Sequence, residues 1–130
     1  MQRQAFFIIL SFLLFIICIS CDDSKKYDSL SVEEFSAILQ NEEPQLVDVR
    51  TGVEYSEGHI PDAININVLD ESFEKHVDDI LETDLPVAVY CRTGNRSKKA
   101  ADILVAKGYK VYELDGGITA WEKESREIEK

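Results

Sequence analysis

Cysteine is scarce in this chain of 130 residues: there are three, at positions 18, 21 and 91. Two fall within the first 21 residues, so Cys91 stands alone in the globular part and no intrachain disulfide is available there. Basic residues are few as well, 14 against 25 acidic, for a formal net charge of −11. A surface of that sign argues against nucleic acid or an anionic membrane as a partner. Internal repeats, low-complexity tracts and nucleotide-binding motifs are absent, and Gly116-Gly117 is not followed by a phosphate-loop pattern. The one long apolar run, Ala5 to Ile19, falls short of the ~20 residues that a membrane-spanning helix needs. The length suits one domain and not two.

That apolar run has a different use. Arg3 is the only charged side chain before Asp22, and Ser20 closes the segment, which is the layout of a signal peptide. Cys18-Ile19-Ser20 ahead of Cys21 resembles a bacterial lipobox, with Cys18 where an aliphatic residue is usual. The expectation is a lipoprotein-type signal over 1–20, lipidation at Cys21 and a polar tether over 21–28. The globular domain is expected over 29–127. The product would be exported to the bacterial cell envelope or periplasm, touching the membrane through its lipid anchor only. Removing residues 1–20 takes Arg3 with it and moves the net charge to −12. An unpaired Cys91 in an oxidising compartment is a liability unless it is used.

Cys91 stands in an informative place. Pro86-Val87-Ala88-Val89-Tyr90 before it is short, β-branched and unalternating, as in a buried parallel strand. Lys98 to Lys107 after it reads as a helix, with Gly108 suited to the left-handed position beyond its end. Cys91-Arg92-Thr93-Gly94-Asn95-Arg96-Ser97 is therefore a tight loop from the carboxyl end of a strand to a helix N-terminus, where open α/β sheets bind ligands. Unpaired backbone N–H groups, the helix dipole, Arg92 and Arg96 all favour an anionic sulfur. Lowering a thiol pKa by two units takes roughly 2.7 kcal/mol of differential stabilisation, within the reach of such a loop. Arg96, Lys98 and Lys99 crowd a helix start that a purely structural sequence would give to Asp or Glu.

Along the chain, Leu30-Ser31-Val32-Glu33-Glu34-Phe35 predicts a helix with Ser31 as N-cap, a capping box to Glu34 and a staple of Leu30 on Phe35, running to about Gln40. Gln45–Val49 predicts a strand, Thr51–Glu57 a helical turn and Ala63–Ile66 a short strand. Phe73, Val77, Ile80 and Leu81 mark one face of a helix. Lys110–Leu114 predicts the last strand, and Ile118–Glu129 a last helix anchored by Trp121 with a fraying end. Strands alternating with helices imply an α/β fold with a central parallel sheet of about five strands, helices on both faces.

Asp48-Val49-Arg50, Glu54-Tyr55, Gly58-His59-Ile60-Pro61-Asp62-Ala63, the Cys91–Ser97 loop, and Leu114-Asp115-Gly116-Gly117 with Trp121 together resemble the rhodanese-like sulfurtransferase family. The likeness covers residues 27 to 125, and is greatest to small single-domain secreted thiosulfate sulfurtransferases. It implies that Cys91 is the catalytic nucleophile, passing sulfur from a small anionic donor to a thiol or cyanide through a persulfide. Arg92, Thr93, Gly94, Asn95 and Arg96 would bind substrate, Arg92 and Arg96 by its oxyanion end. Asp48, Arg50, Glu54 and His59 would support the loop, Arg50 and Glu54 as a pair. His59 reads as a hydrogen-bonded loop residue and His76 as incidental. No metal or cofactor is required. A cysteine phosphatase or arsenate reductase on the same scaffold, and a persulfide carrier or binding module, are the competing readings. Only four residues separate Cys91 from Arg96, whereas phosphatase loops resemble Cys-x5-Arg with five.

Overall fold

Short aliphatic runs bounded by polar turns build five strands: β1 (Asp28–Leu30), β2 (Gln45–Asp48), β3 (Ile64–Asn65), β4 (Val87–Tyr90) and β5 (Val111–Leu114). Between and after them lie α1 (Val32–Asn41), α2 (Gly52–Glu57), α3 (Phe73–Ile80), α4 (Asn95–Ala106) and α5 (Gly117–Lys123). The structure is a computed structural model and describes residues 26–130; the signal segment, Cys21 and most of the tether lie outside the described residues.

All strand pairs are parallel, in the order β1-β5-β4-β2-β3. Every residue of β4 and β5 is buried, as expected of central strands covered on both faces. The two-residue period of the strands divides the core in two. Val47, Val87, Val89 and Val111 face Phe73 and Val77 of α3 and Ala100, Ala101 and Leu104 of α4. Leu46, Ala88, Tyr90, Tyr112 and Leu114 face Val32 and Phe35 of α1 and Ile118 and Trp121 of α5. The register sets Asp48 beside Tyr90, and Val89 beside Glu113, so the carboxyl ends of β2, β4 and β5 share one edge.

The capping box of α1 is present: the Glu34 N–H donates to Ser31 Oγ, and the Ser31 N–H donates to the Glu34 carboxylate, both at 3.2 Å. A second box, Thr51 with Glu54, starts α2. Four expectations need correction. The strand β1 is not anticipated, because three residues lying at an edge carry no periodic signal; it takes in Asp28, the last residue of the expected tether, which pairs with Tyr112 of β5. α4 begins at Asn95, so Arg96 and Ser97 belong to its first turn. Ile80 is 47% exposed, and Phe73, Val77 and Leu81 alone of that quartet are buried. The last helix stops at Lys123, and the tail does not fray. It turns back at Ser125 (φ +56°), and Glu129 exchanges backbone hydrogen bonds with His59 at 2.8 and 2.9 Å.

Candidate active site

Cys91 directly follows β4 and is 1% exposed, packed with the α4-side core. A position at a strand-to-helix loop invites the expectation of an exposed thiol, but the sulfur lies in the core. The loop curls over the sulfur because Gly94 sits at φ +115°, a left-handed conformation open to glycine at little cost. That turn aims the Gly94 N–H at Sγ, 3.1 Å away, while the thiol lies 3.4 Å from Ser97 Oγ. The first two carbonyls of the loop point toward α5: Ile118 N–H donates to Cys91 O at 2.9 Å, and Thr119 N–H to Arg92 O at 3.1 Å. The start of α5 thereby takes up these two acceptors and turns them away from the sulfur. Gly117 makes the approach possible, since a Cβ there would lie 2.5 Å from the carbonyl oxygens of both Cys91 and Arg92.

Burial pushes the Cys91 thiol pKa up. Hydrogen bonding from the Ser97 hydroxyl and from the N–H groups of Ser97, Gly94 and Thr93 outweighs it, and the pKa ends below its ordinary value. This is the arrangement of an oxyanion hole, built around sulfur.

The supporting residues converge on this loop, though not in the pairs expected. Arg50 does not pair with Glu54. Its guanidinium binds the fully buried Asp48, with Nη2 2.6 Å from Oδ2, and reaches Gly58 O at 2.7 Å. Asp48 also accepts from Tyr90 Oη at 2.9 Å, the residue immediately before the cysteine. Burial, then the Asp48 charge, raise the Tyr90 phenol well above its usual range, so it stays a donor. Glu54 instead holds Arg96 in a two-pronged pair, at 2.7 and 2.8 Å, tying the first turn of α4 to α2. That partner, ahead of an opposing burial effect, draws the Glu54 pKa down to about 2. Both terminal nitrogens of Arg96 are therefore engaged, and Arg92 is the exposed guanidinium of the loop. Arg92 borders a cavity of about 420 Å³ together with Arg50, Glu54 and Thr119. Thr93 and Asn95 are exposed.

His59 is a buried loop histidine, as expected: its Nδ1–H donates to Tyr55 O at 2.9 Å and its ring stacks on Tyr55. His76 is exposed. Lys98, read as a cation at an unfavourable helix start, is balanced by Glu113 and Asp115, at 3.3 and 3.2 Å. Glu113 and the role of Ser97 were missed. The available signal was an acid inside the otherwise apolar run Val111-Tyr112-Glu113-Leu114. Among the described residues there is no cluster of His, Cys, Asp or Glu that could hold a metal ion.

The pattern of a "Rhodanese-like domain" matches residues 31–124. The chain belongs to the rhodanese-like domain family. A "Thiosulfate sulfurtransferase GlpE" from Pseudoalteromonas translucida (strain TAC 125) is 34% identical over 100 residues, 74% of this chain and 90% of that protein. The protein of the same name from Shewanella oneidensis is 34% identical over 96 residues, 73% of this chain and 92% of the relative. Among solved structures, a rhodanese-related protein from Thermoplasma volcanium superposes with a TM-score of 0.67 at 30% identity, over 79% of this chain and 98% of that one. A rhodanese-like domain protein from Staphylococcus aureus gives 0.66 at 30% identity, over 79% and 99%. This rhodanese-like domain thus matches small relatives along nearly their whole length.

Proposed function

We propose that this rhodanese-like protein is a sulfurtransferase that moves sulfane sulfur from thiosulfate, or a related anionic donor, to a thiol or cyanide through a persulfide on Cys91. The observation that carries the reading is the set of donors around the sulfur, with Gly94 N–H 3.1 Å from Sγ and the Cys91 and Arg92 carbonyls turned toward α5. The names of the GlpE relatives supply the donor class.

In the proposed reaction the Cys91 thiolate attacks the outer sulfur of thiosulfate. The sulfur–sulfur bond of the donor breaks, sulfite leaves with the bonding electrons, and Cys91 keeps a terminal anionic sulfur. The loop N–H groups stabilise that charge in a site closed to water. Arg92 receives the donor's oxyanion end and the departing sulfite. Arg96 acts chiefly by holding the loop to Glu54. An acceptor then attacks the outer sulfur and returns the thiolate. Sulfite is a good leaving group, so His59 is not needed as an acid, in keeping with its engagement by Tyr55.

Intact-protein mass spectrometry after exposure to thiosulfate tests this. The expected result is a gain of one sulfur atom, removed by cyanide and absent from Cys91→Ala. No gain, with efficient hydrolysis of an aryl phosphate instead, would overturn the reading. Because Cys91 is packed and not exposed, Cys91→Ala is expected to cost on the order of 1 kcal/mol of stability as well.

We also propose export and anchoring through a lipid on Cys21, on the strength of the apolar segment and lipobox-like tripeptide. Cys21→Ser should release the protein from membrane fractions; unchanged association would favour a retained helix.

A further inference from the structure

Two carboxylates are fully buried near the loop, Asp48 and Glu113, and only Asp48 has a buried cation beside it. Glu113 comes from β5, on the face beneath α4. Its Oε2 accepts from Ser29 Oγ of β1 at 2.6 Å, and its Oε1 from Ser97 Oγ at 2.7 Å. The partly exposed Lys98 reaches both oxygens, at 3.3 and 3.4 Å, and also reaches Asp115.

Ser97 is the link to the sulfur. Its hydroxyl has one proton and three acceptors in reach: Glu113 Oε1 at 2.7 Å, Gly94 O at 3.0 Å and Cys91 Sγ at 3.4 Å. The charged carboxylate is both the strongest acceptor and the nearest. With the proton on that side, an oxygen lone pair faces Sγ. This suits a thiol, whose S–H donates to Ser97, and it opposes a thiolate. A thiolate draws the Ser97 proton only by taking it from Glu113, whose Oε1 is then left to Lys98. Once Sγ is bonded to a second sulfur it bears no charge, and Ser97 is free to return to Glu113.

We infer that Glu113 is a positioning residue which, by holding the Ser97 hydroxyl, sets the fraction of Cys91 present as thiolate. By competing for the Ser97 proton it holds back part of the stabilisation that the loop gives the thiolate, and it leaves the persulfide state undisturbed. This rests on the reading of Cys91 as the sulfur-carrying nucleophile. The other charged or titratable groups around the pair are Lys98 and Arg96 of α4, Asp115, which shares Lys98 with Glu113, and, from the segment before β1, the neutral Tyr27 phenol. Burial raises the Tyr27 pKa, and the charges of Asp102 and Glu113 raise it further. Arg96 is paired with Glu54 and interacts with the Cys91 charge.

The test is the pH profile of Cys91 alkylation by iodoacetamide in the full chain, with the modified site assigned by peptide mass spectrometry. Glu113→Gln keeps the shape, removes the charge and can turn an amide N–H toward Ser97 Oγ. Its alkylation midpoint should fall by about one pH unit. In a Ser97→Ala background the same substitution should shift the midpoint by less than half as much. Lys98→Met should move the midpoint upward, and this arm stands if Glu113→Gln folds poorly. An unmoved or raised midpoint in Glu113→Gln, an equal shift with and without Ser97, or an unmoved or lowered midpoint in Lys98→Met would each overturn the inference. Sulfur uptake from thiosulfate is read separately. Midpoints that move as stated without uptake would refute the proposed activity and not the Glu113 linkage; uptake with static midpoints would do the reverse.

Discussion

Asp48 offers the sharpest test of how the active loop is held. Its carboxylate is fully buried and accepts from the Arg50 backbone N–H, Arg50 Nε, Arg50 Nη2 and Tyr90 Oη, at 2.6–3.1 Å. Asp48→Ala leaves the Arg50 guanidinium, 6% exposed, with Gly58 O in place of a counter-charge. Removing one partner of such a pair costs about 3–5 kcal/mol, because the survivor is a buried charge without compensation. That is a large part of the ~5–15 kcal/mol that holds a domain of this size together. The cost should be asymmetric. Arg50→Met added to Asp48→Ala removes the stranded charge and fills its volume with apolar atoms. The Tyr90 hydroxyl is then the main loser, at ~1–2 kcal/mol. Urea unfolding followed by the fluorescence of Trp121 reads both variants, since Trp121 is the only tryptophan and is buried. The expected order is wild type, then Asp48→Ala/Arg50→Met, then Asp48→Ala. A double variant as unstable as Asp48→Ala would refute the claim that an uncompensated guanidinium carries the cost.

Two further expectations concern the elements that close on the loop. Glu54 has its folded pKa lowered to about 2 by Arg96, so the stability this pair adds is fully present above pH ~4.5 and is lost as pH falls toward 2; acid titration of Glu54→Gln should lack that component, and a superimposable acid profile would remove the pair from the account. Gly117→Ala puts a methyl group 2.5 Å from two loop carbonyls at φ +59°, so it should depress sulfur transfer at least tenfold and cost roughly 2 kcal/mol or more in the same urea assay; wild-type kinetics would show that α5 is not what orients the loop.

What could be seen in advance followed from local chemistry. Ser31 with Glu34 defines a helix start without help from the rest of the chain, and the box is there. Val87-Ala88-Val89-Tyr90, short, β-branched and unalternating, reads as a buried parallel strand, and as β4 it brings Cys91 to the carboxyl edge of the sheet. The pairing of charges was less legible. Arg50 and Glu54 are four residues apart and invite pairing, but Arg50 points back along β2 to Asp48, and Glu54 faces α4 across the loop, 42 positions away from its partner Arg96. Spacing ranks neighbours along one element, while an ion pair answers to neighbours in space.

The sequence by itself determined the alternation of strands and helices, the place of Cys91 between a strand and a helix, and the family, because these rest on short-range patterns: a period of two, a capping box, a glycine in the seven-residue Cys91–Ser97 loop. The tertiary structure alone decided that the thiol is buried and not exposed, that β1 completes the sheet edge, and that the tail returns to His59. It alone decided also that Glu113 and Ser97 meet beneath the sulfur, since β5 enters the sheet beside β4 and α4 crosses above both. Burial and charge partnership depend on which elements become neighbours, and that is settled only when the sheet order and its register are formed.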